Sequence, residues 1–148
     1  MEFEIIGNKD RAEEILALIQ IWDQGLQEHD LHAMTQDYSD KVSVFDVALQ
    51  VDDIQAYRKL WQQCFPYFGD NIQVQRRRLK IYAGDNIIFL HCYYKVLGDA
   101  QTSADDIPWC RTTVGFYKES EKWKVVHEHI SMPYDCEKQQ PLYILAEP

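Results

Sequence analysis

The chain has 148 residues, 46% of them hydrophobic and 13% aromatic, with a formal net charge of −9. That length suits a single domain, residues 1–148, which can bury roughly 70% of the surface it would expose unfolded. The acidic balance speaks against nucleic acid as a partner, because phosphate binding needs an excess of Lys and Arg.

Asp10 followed by Glu13 reads as a capping box. Ile15, Leu18, Ile19, Trp22 and Leu26 then recur at helical spacing, which predicts one amphipathic helix over 10–28. His29-Asp30 breaks it, and a short helix around 31–37 follows. The β-branched and aromatic run 41–47 reads as a strand. Asp52, with Gln55 three residues on, caps a helix whose buried stripe is Ile54, Tyr57, Leu60, Trp61, Cys64 and Phe65; Pro66 and Gly69 end it.

The second half reads as a meander of four long strands, 71–83, 87–97, 109–118 and 123–131. In the first, Ile72 and Val74 have one parity while Leu79 and Ile81 have the other. A strand changes faces only through an extra residue, so a bulge is expected near Arg76–Arg78. The basic group Arg76, Arg77, Arg78 and Lys80 lies in this alternating segment and reads as a solvated strand face. A tight turn at 83–86, a polar loop from Leu97 to Pro108 and a hairpin turn at 118–122 join the strands. The core runs over about 8–133, and the tail 134–148 has no clear period. Helices on one side of an antiparallel, bulged sheet give an α+β architecture, here a cone-shaped roll with a concave interior.

No window approaches the ~18 apolar residues of a membrane-spanning helix. The start, MEFEIIGNKD, lacks a basic stretch followed by an apolar run and does not read as a signal peptide. Cys64, Cys92, Cys110 and Cys136 have no C-x-x-C spacing, so neither a zinc knuckle nor a redox pair is indicated. Free thiols and a cytoplasmic location are the simplest expectation.

The element order, together with Arg111-Thr112-Thr113 and the closing run Trp123-Lys-Val-Val-His127-Glu-His129-Ile-Ser131, resembles the nuclear transport factor 2-like superfamily. That superfamily, of cystatin-like fold, includes SnoaL-type cyclases, ketosteroid isomerases and the association domain of calcium/calmodulin-dependent kinase II. The resemblance spans nearly the whole chain in element order and is specific in the last two strands. It implies a small-molecule pocket under the sheet and an enzyme, binding module or oligomerisation scaffold. Carried over position by position, the ketosteroid isomerase pattern puts its general-base Asp at Asp46. Trp22 stands where that pattern has a Tyr, and Thr113 falls near its second oxyanion donor. An indole N–H can donate one hydrogen bond but cannot share a proton as a phenol can.

The resemblance thus implies proton abstraction next to a carbonyl with Asp46 as base and His127, Arg111 or Trp22 stabilising the oxyanion, so that Asp46 and His127 are the catalytic candidates of an isomerase, cyclase or dehydratase without a cofactor. A noncatalytic binding or oligomerisation module is the alternative. On residues alone, Asp46 shares a face with Val42 and Val44, and a hydrogen-bonded strand-end Asp explains it equally well. His127 and His129 share a parity with Trp123, Val125 and Ser131. They fit pocket hydrogen-bonding groups, buried structural histidines or a metal pair; no third ligand is obvious, so no metal is expected. Arg111 either binds a carboxylate in the pocket or pairs with Glu128 outside. Tyr38, Tyr57 and Trp61 are ring-bearing candidates for the lining. The implied ligand is a small organic molecule, acidic or carbonyl-bearing. Val114, Phe116, Val126 and Ile130 are read as an apolar outer face, and hence a homodimer interface.

Overall fold

A computed structural model describes residues 2–100 and 103–148. The elements in chain order are β1 (Phe3–Gly7), α1 (Lys9–Gln27), α2 (Leu31–Thr35), β2 (Tyr38–Phe45), β3 (Gln50–Val51), α3 (Ile54–Phe68), β4 (Gln73–Ala83), β5 (Ile87–Leu97), a single 3-10 turn (Ala104–Asp106), β6 (Cys110–Glu119), β7 (Lys122–Ser131), β8 (Tyr134–Asp135) and β9 (Gln140–Pro141). Among the described residues the main sheet has seven strands in the order β1-β4-β5-β6-β7-β2-β3, of which only the pairs β1–β4 and β2–β7 run parallel. The α+β class expected from the sequence is therefore the observed one.

α2 starts at Leu31, where the sequence placed it, and ends at Thr35, while α1 and α3 each start one residue from the expected position. The cap of α1 is Asn8, whose side chain accepts from Arg11 N at 3.1 Å, and not Asp10. The cap of α3 is Asp53, accepting from Ala56 N at 2.7 Å, and not Asp52. In both places two nearby polar residues compete, and the one with extended backbone takes the capping role. α1 buries Ala12, Ile15, Leu16, Ile19, Trp22, Gly25 and Leu26 against the sheet and α2. Gly25 lets α1 and α2 approach closely, since a Cβ there would lie 3.0 Å from the backbone N of Met34 and α2 would have to give slightly.

Two bulges decide which side chains face the interior. In β4 the register shifts between Arg77 and Lys80, so Arg78 and Leu79 together oppose Cys92, and Arg78 takes φ 52°. This is the bulge that the parity switch predicts. In β7, Val125 pairs with Phe116 and His127 with Gly115, which leaves Val126 without a partner. That second bulge was not expected, and it reverses the parity of the last strand. Trp123, Val125, Glu128 and Ile130 are buried, while His129 is exposed and His127 and Ser131 are half-buried. Val114, Phe116 and Ile130, read above as an apolar outer face, are buried core residues instead.

β1, β3 and the β8–β9 hairpin were not foreseen. β1 adds a parallel edge to β4. After β9 the tail returns to the sheet, where Trp109 N donates to Ile144 O at 2.8 Å and Glu147 pairs with Arg77. Trp109 is buried beneath it, with the Arg77 guanidinium 5.4 Å and the Lys95 amine 4.8 Å from its ring centre.

Candidate active site

The concave side of the sheet and the three helices enclose a cavity of about 280 Å³. Its wall is mostly apolar, with Trp22 and Leu18 from α1, Tyr57, Trp61 and Phe68 from α3, and Val114, Phe116 and Ile130 from the sheet. Trp22 and Trp61 meet edge to face at 5.6 Å, and Tyr38 and Tyr57 stack at 5.0 Å. Such a lining with few polar groups is the usual form of a small-molecule site.

The polar groups are concentrated on one side. Glu128, 8% exposed, points inward from β7 because of the Val126 bulge. Tyr38 donates a hydrogen bond to Glu128 Oε1, and the hydroxyls of Tyr38 and Tyr57 lie 3.3 Å apart. Burial disfavours the charge on Glu128 and pushes its pKa up to about 7, with the Asp46 charge adding to the rise; the Tyr38 and Tyr57 hydrogen bonds and the nearby Arg76 oppose it. Burial also raises the pKa of Tyr38 and Tyr57 well above the ordinary phenol value, and the Glu128 charge adds to both, so they remain donors. The indole Nε1 of Trp22 is buried and makes no hydrogen bond of ordinary geometry, although it is near enough to Tyr57 to oppose that rise.

Asp46 follows the end of β2 and borders the cavity, half-buried. Its Oδ1 accepts from Val47 N at 2.8 Å, and its own N–H donates to Leu49 O, which fixes the turn. Val44, the preceding inward residue of β2, pairs with Glu128, so the two carboxylates are near neighbours on one wall. The Asp46 charge also pushes up the thiols of Cys64 and Cys110, mainly raised by burial, which border the same space.

Deeper in the wall, Arg76 Nη2 lies 2.6 Å from Asp23 Oδ1 and Nε lies 3.0 Å from Oδ2, a two-pronged pair. Burial works against the Arg76 charge, but the Asp23 contacts outweigh it and raise the pKa above the usual guanidinium range. The same guanidinium lies 5.5 Å from the Trp22 ring and 5.6 Å from the Tyr94 ring. The basic cluster is therefore only partly a solvated strand face. Arg78 is exposed, whereas Arg76 supports the cavity wall.

Of the residues singled out from the sequence, Trp22, Tyr38, Asp46, Tyr57 and Trp61 come together around the cavity. Arg111, Thr113, His127, His129 and Ser131 do not border it. The β7 bulge, and the parity of β6 opposite it, turn them to the convex face. There Arg111 Nε donates to Ser131 Oγ at 3.1 Å, so Arg111 binds neither Asp46 nor Glu128. His127 Nδ1 shares a 2.7 Å hydrogen bond with Ser43 Oγ, and the Phe45 ring stands edge-on to both histidines. Among the described residues no three His, Cys, Asp or Glu side chains gather as metal ligands. Glu128 was missed as a pocket residue. Its signal was available, because Trp123 and Val125 have one parity and Ile130 and Met132 the other.

A family profile for the SnoaL-like domain matches residues 15–135. The chain belongs to the SnoaL-like domain family. Among solved structures, an NTF2-like protein of unknown function from Pseudomonas putida KT2440 is similar over 95% of this chain and 100% of that one, with 27% identity and a TM-score of 0.83. A candidate ketosteroid isomerase from Shewanella frigidimarina NCIMB 400 is similar over 78% of this chain and 92% of its own, with 13% identity and a TM-score of 0.65. A candidate dehydratase of the NTF2-like family from Streptomyces avermitilis is similar over 80% and 93%, with 11% identity and a TM-score of 0.69. These last two likenesses establish the shared fold, also described as cystatin-like among similar structures. No curated protein matches the chain significantly.

Proposed function

We propose that this SnoaL-like protein removes a proton next to a carbonyl group, as an isomerase, cyclase or dehydratase acting without a cofactor. The observation that carries the reading is one apolar cavity lined by both Asp46 and Trp22, whose buried indole N–H has no hydrogen-bond partner of ordinary geometry. Asp46 takes the proton from the α carbon, and the electron pair moves onto the carbonyl oxygen. The Trp22 N–H and the Tyr57 hydroxyl, whose 3.3 Å contact with Tyr38 is long enough to exchange, donate to that oxygen as its charge develops. Walls that exclude water strengthen both contacts. Reprotonation at a second carbon completes an isomerisation. His127 and Arg111 take no part in this scheme, since they lie on the convex face.

Exchange in heavy water tests it without knowledge of the natural substrate. A panel of cyclic ketones and enones is incubated with the protein in D2O, and α-deuteration is followed by NMR. Catalysed exchange should fall about 100-fold or more in Asp46→Asn, the usual contribution of a general base. Exchange that survives the substitution within a few-fold overturns the assignment of Asp46. A cavity that holds ketones without exchanging them would favour the noncatalytic binding module.

The convex sheet face supports a homodimer. Phe45, Ile87, Phe89 and Tyr117 are exposed there, an apolar set that a monomer rarely leaves bare. The four free cysteines favour a reducing compartment such as the cytoplasm, and among the described residues no helix is long and apolar enough to cross a membrane.

A further inference from the structure

Glu128 is a buried titratable group that the proton abstraction above does not use, and its surroundings describe a ligand. Among the described residues it has no ion-pair partner. Among the described residues, the carboxylates of Asp37, Asp46 and Glu128 belong to side chains that line the cavity. The cations that border it are Arg76 and Lys95, and both are engaged. Arg76 is neutralised by Asp23 at 2.6 Å, and Lys95 Nζ donates to Ala104 O at 2.9 Å while lying 4.8 Å from the centre of the Trp109 ring. The cavity thus carries an excess of negative groups inside a chain of net charge −9. Its remaining wall is aromatic, with Trp22, Trp61, Tyr38, Tyr57 and Phe68. A buried carboxylate among ring faces is the combination that attracts a positively charged organic group, by direct charge and by cation–π contact.

We propose that the ligand of this cavity is a small organic cation, a molecule with a protonated amine that sits against Glu128 among the aromatic rings. The inference rests on the cavity being the ligand site, and it gives the substrate of the proposed reaction an amine in addition to its carbonyl. A carboxylate-bearing ligand would meet Arg76 already paired with Asp23, and Lys95, the remaining cation, held toward Ala104 O and the Trp109 ring. Glu128 faces Tyr38, Tyr57, Asp46 and Arg76, and with a pKa of about 7 it is partly protonated near neutrality. Binding of an ammonium group therefore ionises Glu128 and releases a proton, so affinity for the cation rises as pH increases through that range.

Calorimetric titration with three probes of one shape tests the idea: phenethylamine, 2-phenylethanol and 3-phenylpropionate, each at pH 6 and pH 8. At pH 8 the amine should bind at least tenfold more tightly than the alcohol, with the carboxylate weakest. The advantage of the amine should shrink at pH 6, and in Glu128→Gln it should fall to within about twofold while the affinity for the alcohol stays the same. The pH arm uses the unaltered protein, so it stands even if the variant does not fold. Equal binding of alcohol and amine, an unchanged preference in Glu128→Gln, or a preference for the carboxylate overturns the inference and leaves the cavity as a ligand site. Absence of binding by all three at millimolar concentration overturns the inference and leaves the exchange experiment to decide the proposed reaction. Because this experiment reads binding through Glu128 and the exchange experiment reads turnover through Asp46, the two readings fail separately.

Discussion

Replacing Glu128 by Gln should make the protein more stable, and only at neutral and alkaline pH. The Gln side chain has nearly the same volume, and its carbonyl oxygen can still accept from Tyr38. It removes the charge that burial disfavours. Glu128 has its pKa raised in the fold from an ordinary 4.5 to about 7. A raised value means that the folded state binds the proton more tightly than the unfolded state does. The stability that this group contributes is therefore fully present below about pH 4.5 and is lost as pH rises through 7. At 1.36 kcal/mol for each pH unit between the two values, the loss is about 3 kcal/mol at pH 8.5. For a chain of this length that corresponds to roughly 6–12 °C in melting temperature. Urea denaturation of the original protein and of Glu128→Gln, at pH 5 and pH 8.5, isolates the effect, because all other titrating groups are common to both. The two proteins should match within about 1 kcal/mol at pH 5, and the variant should lead by roughly 3 kcal/mol at pH 8.5. A difference that is the same at both values would refute the placement of Glu128 as a buried, proton-poised carboxyl.

Two more outcomes follow from the same wall and from the opposite face. Asp23→Ala strands the Arg76 guanidinium, whose side chain is 6% exposed, and should cost about 3–5 kcal/mol in urea denaturation; the double change Asp23→Ala with Arg76→Leu should recover much of it. Phe89→Lys places a charge in the exposed apolar set of the convex face and should turn a dimer at micromolar concentration into a monomer in sedimentation velocity, whereas a monomeric original protein would end the dimer proposal.

Periodicity made the fold legible, and it failed where one residue interrupts it. The buried stripes of α1 and α3 could be read directly, since Ile15, Ile19, Trp22 and Leu26, then Ile54 and Tyr57, do face the core. Half of the candidate site was readable for the same reason: Trp22, Tyr57 and Trp61 lie on regular helices, and Asp46 directly follows β2, so their faces follow from spacing. Glu128 does not. A glutamate is rarely buried, and the even spacing of His127, His129 and Ser131 with Trp123 and Val125 suggested one shared face. The unpaired Val126 breaks that face. Short parallel edges such as β1 leave no comparable pattern, because their pairing depends on residues more than 70 positions away.

The β4 bulge was legible, and its geometry allows a sharper prediction than its existence did. Arg78 is exposed and sits at φ 52°, the left-handed region that non-glycine residues avoid. Holding it there costs about 1–2 kcal/mol. Glycine would release that cost but loses about 0.5–1 kcal/mol through its freer unfolded chain. Arg78→Gly should therefore be neutral or stabilising by up to about 1 kcal/mol. Arg78→Val puts a β-branched side chain into the same conformation and should destabilise, leaving the two variants at least about 2 kcal/mol apart. Urea denaturation of both decides the matter. If valine and glycine are tolerated equally, the extra residue of β4 lies elsewhere, and the parity switch that turns Leu79 and Ile81 into the core needs another cause. If they separate as expected, the bend that places Arg76 beside Asp23 under the cavity is set by the left-handed backbone at residue 78, and any side chain able to adopt it can hold the wall in place.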